Sequence, residues 1–284
     1  MDFVILGIGE WGFRELPFEE HCRIASKFGF KYLELGMGGE FKGRLQSGMT
    51  QAELDTILEC IREYGLKTPF MCLENDFTKG GVEEVREEAK RVCRAAKLSK
   101  SFGVTHLRLF AGFTPLEEMT GDKWDNMIRA FQMVEAEIRS YGMVISIETH
   151  GALFSQGKGR RHVPTVSTNK TALKRMLGEL PAGVGINFDP GNLRPVQSDP
   201  VISYLDILNG RINYCHLKDW LDNGDGSWTA AGVGDGDMPW PELLAKTTFD
   251  GIYLIEYEPV HDVEDGIRRS LRYLRSIRDD IRFE

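Results

Sequence analysis

The chain has 284 residues, 42% of them hydrophobic and 27% charged, which suits one large globular unit with an ample core and argues against disorder. Its 35 basic and 43 acidic residues leave a net charge of −8, which repels phosphate backbones and anionic membranes, so nucleic acid and membranes are set aside as partners. Cys22, Cys60, Cys72, Cys93 and Cys215 contain no C-x-x-C pair and read as reduced thiols; with no basic n-region at the start and no run near the ~20 apolar residues of a membrane span, a cytoplasmic protein is expected.

In chain order, the first strand is expected at residues 3–6, and Gly7-Ile-Gly9-Glu-Trp-Gly12 follows it with the spacing G-x-G-x-x-G. A dinucleotide fold opens its helix at the third glycine, where the helix N-terminus holds the pyrophosphate. Here Phe13-Arg-Glu-Leu intervenes before Pro17, the natural first helical residue. A ribose-binding role for Glu34, at the end of the second strand (32–35), falls with that reading. Thr50-Gln-Ala-Glu53 is a capping box opening the next helix, and a third strand is expected at 67–72. A helix over 82–101 and a strand at 105–110 follow. Thr114-Pro115-Leu-Glu117 combines a Thr cap, Pro and Glu as a helix start, ahead of an amphipathic pattern over 124–141.

The second half contains strands at 144–148, 184–189, 212–216 and 252–256. Long glycine-rich segments follow two of them, 151–168 and 218–236, and read as candidate lid loops. The last helix, 263–278, carries an arginine-rich face best explained as a solvated surface. Eight strands alternating with helices in one continuous unit, residues 1–284, predict an α/β fold, a single (β/α)8 TIM barrel.

The four late strands end on Glu148, Asp189, His216 and Glu256. In a closed parallel barrel the C-terminal strand ends converge on one mouth. Three carboxylates crowded around one point raise each other's pKa and destabilise the fold unless a cation compensates them. The oxygen-rich donor set suits one divalent ion, Mn2+ foremost, with Mg2+, Co2+ or Zn2+ as alternatives. Cys215 neighbours His216 and should point to the opposite face. Other signals are decoys. Asp222-Asn-Gly-Asp225-Gly226 lacks the register and closing Glu of a calcium loop. Asn169-Lys-Thr171 is a glycosylation sequon without meaning in a cytosolic chain, and His21, His106 and His162 stand alone as packed or surface residues.

Val144-Ile-Ser-Ile-Glu148-Thr-His150, Asn187-Phe-Asp189-Pro-Gly-Asn192, His216-Leu-Lys218-Asp219, Gly232-Val-Gly-Asp-Gly236 with Trp240, and Asp250-Gly251 leading to Glu256 resemble the sugar phosphate isomerase/epimerase family of the xylose isomerase-like TIM barrel superfamily. The resemblance spans essentially the whole chain. It implies that Glu148, Asp189, His216 and Glu256 ligate the metal, and that Glu148 and Glu256 exchange protons with substrate. It further implies a metal-dependent isomerase or epimerase of a sugar, sugar phosphate or keto-polyol, working through a metal-stabilised enediolate. Glu258 shares a strand face with Glu256, but Glu256 ends the apolar run and is preferred. Candidate substrate contacts are His150, Asn192, Lys218, Arg108 and Asp219, with Arg160 and Arg161 as further cations for a phosphate or carboxylate. Asn192 departs from the His that several ketose 3-epimerases carry there, and Asn cannot titrate.

The runner-up is a lyase of the same superfamily, similar to inosose or dehydroshikimate dehydratase or acting on 3-keto sugars and glycosides. An endonuclease IV-like nuclease would need extra histidines where this chain has Asn192 and Trp228-Thr-Ala-Ala231. A non-catalytic binding module would have no use for the intact tetrad. The expected partner is a small sugar or keto-polyol, and a homo-oligomer is compatible with the sequence.

Overall fold

Short runs dense in Val, Ile, Leu and aromatic residues, each followed by an amphipathic segment, favour parallel strands covered by helices. The computed structural model describes residues 4–196 and 199–284, and it has that alternation. The elements are β1 (Val4–Ile8), α1 (Phe18–Lys27), β2 (Leu35–Met37), α2 (Gln51–Glu63), β3 (Phe70–Leu73), α3 (Val82–Ser99), β4 (His106–Phe110), α4 (Gly121–Ile138) and β5 (Val144–Glu148). Then come β6 (Ala152–Gln156), β7 (Gly159–Val163), α5 (Lys170–Glu179), β8 (Gly185–Phe188), α6 (Pro190–Leu193), α7 (Leu205–Leu208) and β9 (Ile212–Leu217). The chain finishes with β10 (Asp219–Asp222), β11 (Trp228–Ala231), α8 (Trp240–Lys246), β12 (Ile252–Ile255), α9 (Val263–Ile277) and β13 (Ile281–Arg282). Phe3, included in the expected first strand, lies outside the described residues.

The main sheet runs β13-β1-β12-β9-β8-β5-β4-β3-β2. It closes on itself where Ile8 bridges Leu33 in parallel, with Ile8 N donating to Tyr32 O at 3.0 Å and Glu34 N to Ile8 O at 2.9 Å. Among the described residues, β13 pairs with β1 at Val4 and Ile5, below that closure. The result is an α/β barrel, and Leu6, Met71, Leu107, Leu109, Ile145, Ile147, Ile186 and Leu254 have no exposed surface. Each such side chain contributes about 1.5–3 kcal/mol by leaving water. The glycines that imitated a dinucleotide loop serve this closure. A Cβ on Gly7 would lie 2.5 Å from Leu254, and one on Gly12 would lie 1.9 Å from the Tyr257 carbonyl oxygen.

Two helix starts differ from expectation. Pro17 is the residue before α1 rather than its first. The helix expected from Thr114 begins at Gly121, capped by the Thr120 side chain; Thr114 spends its hydroxyl on the Thr78 carbonyl at 3.2 Å, and residues 116–118 form a single 3-10 turn. The Thr50 capping box forms as expected.

The largest departure is at the two glycine-rich segments. They are not irregular loops: they fold as hairpins, β6–β7 and β10–β11, joined through Trp228 opposite Arg160 into a four-stranded antiparallel sheet. Gly157, at φ +54°, supplies the left-handed residue for the two-residue turn of the first hairpin. Asp222 and Asp225 serve the second turn, accepting from Gly224 N at 2.8 Å and Ser227 N at 2.9 Å. Because the hairpins follow β5 and β9, their sheet stands at the C-terminal mouth of the barrel. Among the described residues no helix is long and apolar enough to cross a membrane.

Candidate metal centre

Glu148 closes β5, Asp189 follows β8, His216 lies at the penultimate position of β9, and Glu256 follows β12. Neighbouring strands hold them in register: Glu148 pairs with Asn187, and His216 with Leu254. All four are at most 2% exposed. One ligand atom from each lies within 4.8 Å of the others. Nδ1 of His216 faces Glu148 Oε1 at 3.6 Å, Asp189 Oδ2 at 3.9 Å and Glu256 Oε2 at 3.5 Å. Asp189 combines two tasks. Its Oδ1 accepts from Asn192 N at 3.1 Å, capping α6, while Oδ2 points into the cluster.

Two buried cations offset the negative charge. Arg108 on β4 places Nη1 2.7 Å from Glu148 Oε2. Lys218, just after β9, places its ammonium 2.5 Å from Glu256 Oε2 and 3.2 Å from both Asp189 Oδ2 and Glu258 Oε2. Asn192 holds the carboxylates apart at fixed positions, its Nδ2 donating to Glu148 Oε1 at 3.1 Å and Asp189 Oδ2 at 2.9 Å. Behind the cluster, Nε2 of His216 lies 3.2 Å from Glu34 Oε1, and Glu34 also accepts from the Tyr214 hydroxyl and from Glu10 N.

The electrostatics follow from this crowding. Burial pushes Asp189 up to about 7, with Lys218 opposing the shift and the Glu148 and Glu256 carboxylates adding to it. Burial would raise Glu148 too, but Arg108 and His216 outweigh it and hold the group below the usual carboxylate range. Against burial, His216, Arg108 and Tyr214 bring Glu34 down to about 2. His216 is raised well above its ordinary value, burial being outweighed by Glu256 and Glu34. Glu256 Oε2 and Glu148 Oε2 are buried without an aligned hydrogen bond. Close-packed carboxylate acceptors and an imidazole nitrogen facing inward fit a hard divalent cation, whose charge would offset the burial and repulsion that lift Asp189.

The cluster opens on a cavity of about 440 Å³. Its polar wall includes Arg108, Glu148, His150, Lys218, Glu256 and Glu258, and its apolar wall Trp11, Phe110, Phe113, Leu153 and Phe154. His150 packs edge-on against Phe110 and Phe113, at 5.2 and 5.4 Å. Its Nδ1 donates to Gly151 O at 2.7 Å, which leaves Nε2 as the acceptor nitrogen. Burial lowers its pKa.

Of the side chains singled out from sequence, the structure brings Glu148, Asp189, His216, Glu256, Arg108, Asn192, Lys218 and His150 to this one place. Asp219 is turned away. Its Oδ1 accepts from Trp220 N at 3.1 Å, and its Oδ2 from Gly234 N at 3.0 Å and Trp240 Nε1 at 3.1 Å. It therefore anchors the glycine-rich 232–236 segment and does not line the cavity. Arg160 and Arg161 are exposed on the hairpin sheet. His21, His106 and His162 lie outside the cluster; His21 is packed, with Nε2 2.9 Å from Phe13 O. Sequence reasoning missed Trp11, Phe113, Leu153 and Phe154 on the cavity wall, and the buried Glu10–Arg44 pair at 3.2 Å. It also dismissed Glu34 along with the dinucleotide motif. Glu34's position at a strand end was the one signal available for it.

The description of the xylose isomerase-like TIM barrel matches residues 22–277. Among solved structures, the chain is similar to a xylose isomerase domain protein from Planctomyces limnophilus, at 17% identity over 98% of each chain with a TM-score of 0.75. It is similar to the probable 3-DHS dehydratase AsbF, involved in petrobactin synthesis, from Bacillus anthracis: 16% identity, 95% of this chain and 98% of that one, TM-score 0.73. It is also similar to the 3-keto-D-glucoside 4-epimerase YcjR from E. coli, at 16% identity over 96% and 99% of the two chains, TM-score 0.71. No curated protein sequence matches.

Proposed function

Because the chain belongs to the xylose isomerase-like TIM barrel family, we propose that it is a divalent-metal-dependent isomerase or epimerase of a small sugar, sugar phosphate or keto-polyol. The observation that carries this reading is the buried convergence of three carboxylates and one imidazole within 4.8 Å on the wall of a cavity sized for a small molecule. Glu148, Asp189, His216 and Glu256 would hold the ion, and their oxygen-rich donor set favours Mn2+. Bound there, a divalent cation supplies Lewis acidity to the oxygens beside a substrate carbonyl.

The remaining work belongs to the chain's own groups. Glu148 is kept ionised by Arg108 and is ready to take a proton from carbon. Glu256 comes from a strand separated from β5 by β8 and β9, so it reaches the substrate from another side and can return a proton there. Each such positioned group contributes about 10²- to 10⁴-fold. Arg108 and Lys218 orient anionic or hydroxyl oxygens, while Phe110, Phe113 and Phe154 keep bulk water from the reacting carbon.

A lyase reading has one specific observation in its favour. Lys218 sets a buried ammonium on the cavity wall beside Glu256, where a departing hydroxyl could take its proton. The same proton removal next to a carbonyl would start both reactions. The two are separated by incubating ketoses, keto-inositols and cyclic keto-acids with enzyme in D2O, with and without Mn2+, and weighing the products. Metal-dependent uptake of one deuteron at constant composition is the expected result, and Glu256→Gln should abolish it. Loss of water transfers the chain to the lyases. Full activity in Glu256→Gln refutes the role given to that residue.

A further inference from the structure

We infer that Glu34 is a positioning residue that selects which nitrogen of His216 faces the metal centre, an inference that rests on the metal-dependent reading above. Only Nδ1 of the imidazole approaches the three carboxylates, at 3.6, 3.9 and 3.5 Å. A ring nitrogen ligates through its lone pair, so ligation at Nδ1 requires the proton on Nε2. Nε2 lies 3.2 Å from Glu34 Oε1. A carboxylate can only accept, so this contact selects the N–H at Nε2 and makes Nδ1 the acceptor nitrogen; the Asn187 amide donates to Nδ1 at 3.2 Å, a place a cation would take over.

Glu34 is itself held so that it cannot turn away. It has no exposed surface. Oε1 also accepts from the hydroxyl of Tyr214, which is two residues before His216 on β9 and so shares its strand face. Oε2 accepts from the backbone N–H of Glu10 at 3.0 Å. The carboxylate thus spans the barrel interior, tied to the segment after β1 by one oxygen and to β9 by the other.

This polarity makes the isosteric variant Glu34→Gln informative. The Glu10 N–H is a backbone donor and cannot become an acceptor, so the new amide must keep its oxygen there. Its NH2 group then faces Tyr214 and His216. The Tyr214 hydroxyl can rotate and accept. Nε2 of His216 can accept only by giving up its proton, which places a proton on Nδ1 and removes the lone pair that would ligate.

The test is calorimetric titration of Mn2+ into the whole protein and into Glu34→Gln, together with 15N NMR of the histidine side chains in the Zn2+-loaded protein. The dissociation constant should rise about 10- to 100-fold in Glu34→Gln, with unchanged far-UV circular dichroism. Glu34→Asp, which keeps an acceptor, should lose less. In the Zn2+-loaded wild type His216 should show a ligated Nδ1 and a protonated Nε2. A Glu34→Gln affinity within twofold of wild type, or ligation through Nε2, overturns the inference. Should Glu34→Gln fail to fold, the wild-type spectrum decides by the same criterion. A wild type that takes up neither ion overturns the metal-dependent reading and this inference together, whereas normal uptake indifferent to Glu34 overturns this inference alone.

Discussion

Replacing Lys218 by Met removes a charge and keeps most of the side chain's bulk. Lys218 is 2% exposed, and its ammonium sits 2.5 Å from Glu256, 3.2 Å from Asp189 and 3.2 Å from Glu258. Removing one partner of a buried ion pair costs about 3–5 kcal/mol, because the other partner is left desolvated and uncompensated. At about 2 °C per kcal/mol for a chain of this size, the metal-free variant should melt roughly 6–10 °C below wild type. The deficit depends on pH. Asp189 already lies up at about 7 with Lys218 opposing the shift, and without the ammonium it rises further. A carboxyl raised above its unfolded value contributes stability below that value and loses it as pH rises through the folded pKa. The gap should therefore be smaller near pH 5 than near pH 8. Mn2+ should close much of it, since the cation would occupy the same Asp189 and Glu256 oxygens as the ammonium; at 100-fold the dissociation constant, binding contributes about 2.7 kcal/mol. Scanning calorimetry in EDTA and in Mn2+, at pH 5.5 and 8, reads all three quantities. A variant melting within 1 °C of wild type in EDTA at pH 8, or a metal-induced rise no larger in the variant than in wild type, would refute the reasoning.

Two further outcomes are expected. His21 is buried and its pKa is depressed to about 4 by desolvation, despite contacts to the Phe13 and Leu16 carbonyls; its contribution is present above the unfolded value of about 6.5 and lost as pH falls toward 4. The ceiling is about 3 kcal/mol, so urea midpoints of wild type and His21→Gln should diverge between pH 7.5 and 4.5, and parallel midpoints would exclude the effect. Asp219→Ala strands the Trp220, Gly234 and Trp240 donors at about 1–3 kcal/mol for an unpaired buried group; thermal melts should show the loss with Mn2+ affinity unchanged. An intact melting temperature with a raised KM would instead make Asp219 a substrate contact.

Much of the site is legible in the sequence because it depends on two local properties. Strand length and content are written in runs such as Val144–Glu148, and the C-terminal ends of parallel barrel strands must meet at one mouth. A chemically distinctive residue at each of four such ends therefore suffices to locate Glu148, Asp189, His216 and Glu256. Arg108 lies within its strand, and Lys218 is the second residue past His216, so both could be named from sequence; which carboxylate each would meet could not.

What tertiary structure decided involves partners distant in sequence or signals shared by two structures. Thr114 looks like a helix cap, yet the helix is capped by Thr120, and Thr78, from another loop, takes the Thr114 hydroxyl. The glycine-rich segments read as loops because their strands are short and half solvated; their pairing appears only when Trp228 meets Arg160 across 68 residues. Gly7 and Gly12 carry the spacing of a phosphate loop, yet what they need is room beside Leu254 and Tyr257. Glu34 is the sharpest case. From the chain alone it is an acid at a strand end, and its partners Tyr214 and His216 are 180 and 182 residues away. A hydrogen bond over that separation exists only because the barrel closes, so the sequence by itself determined that Glu148, Asp189, His216 and Glu256 stand at strand ends that meet at one mouth, and the closed barrel determined which atom of His216 each neighbour meets.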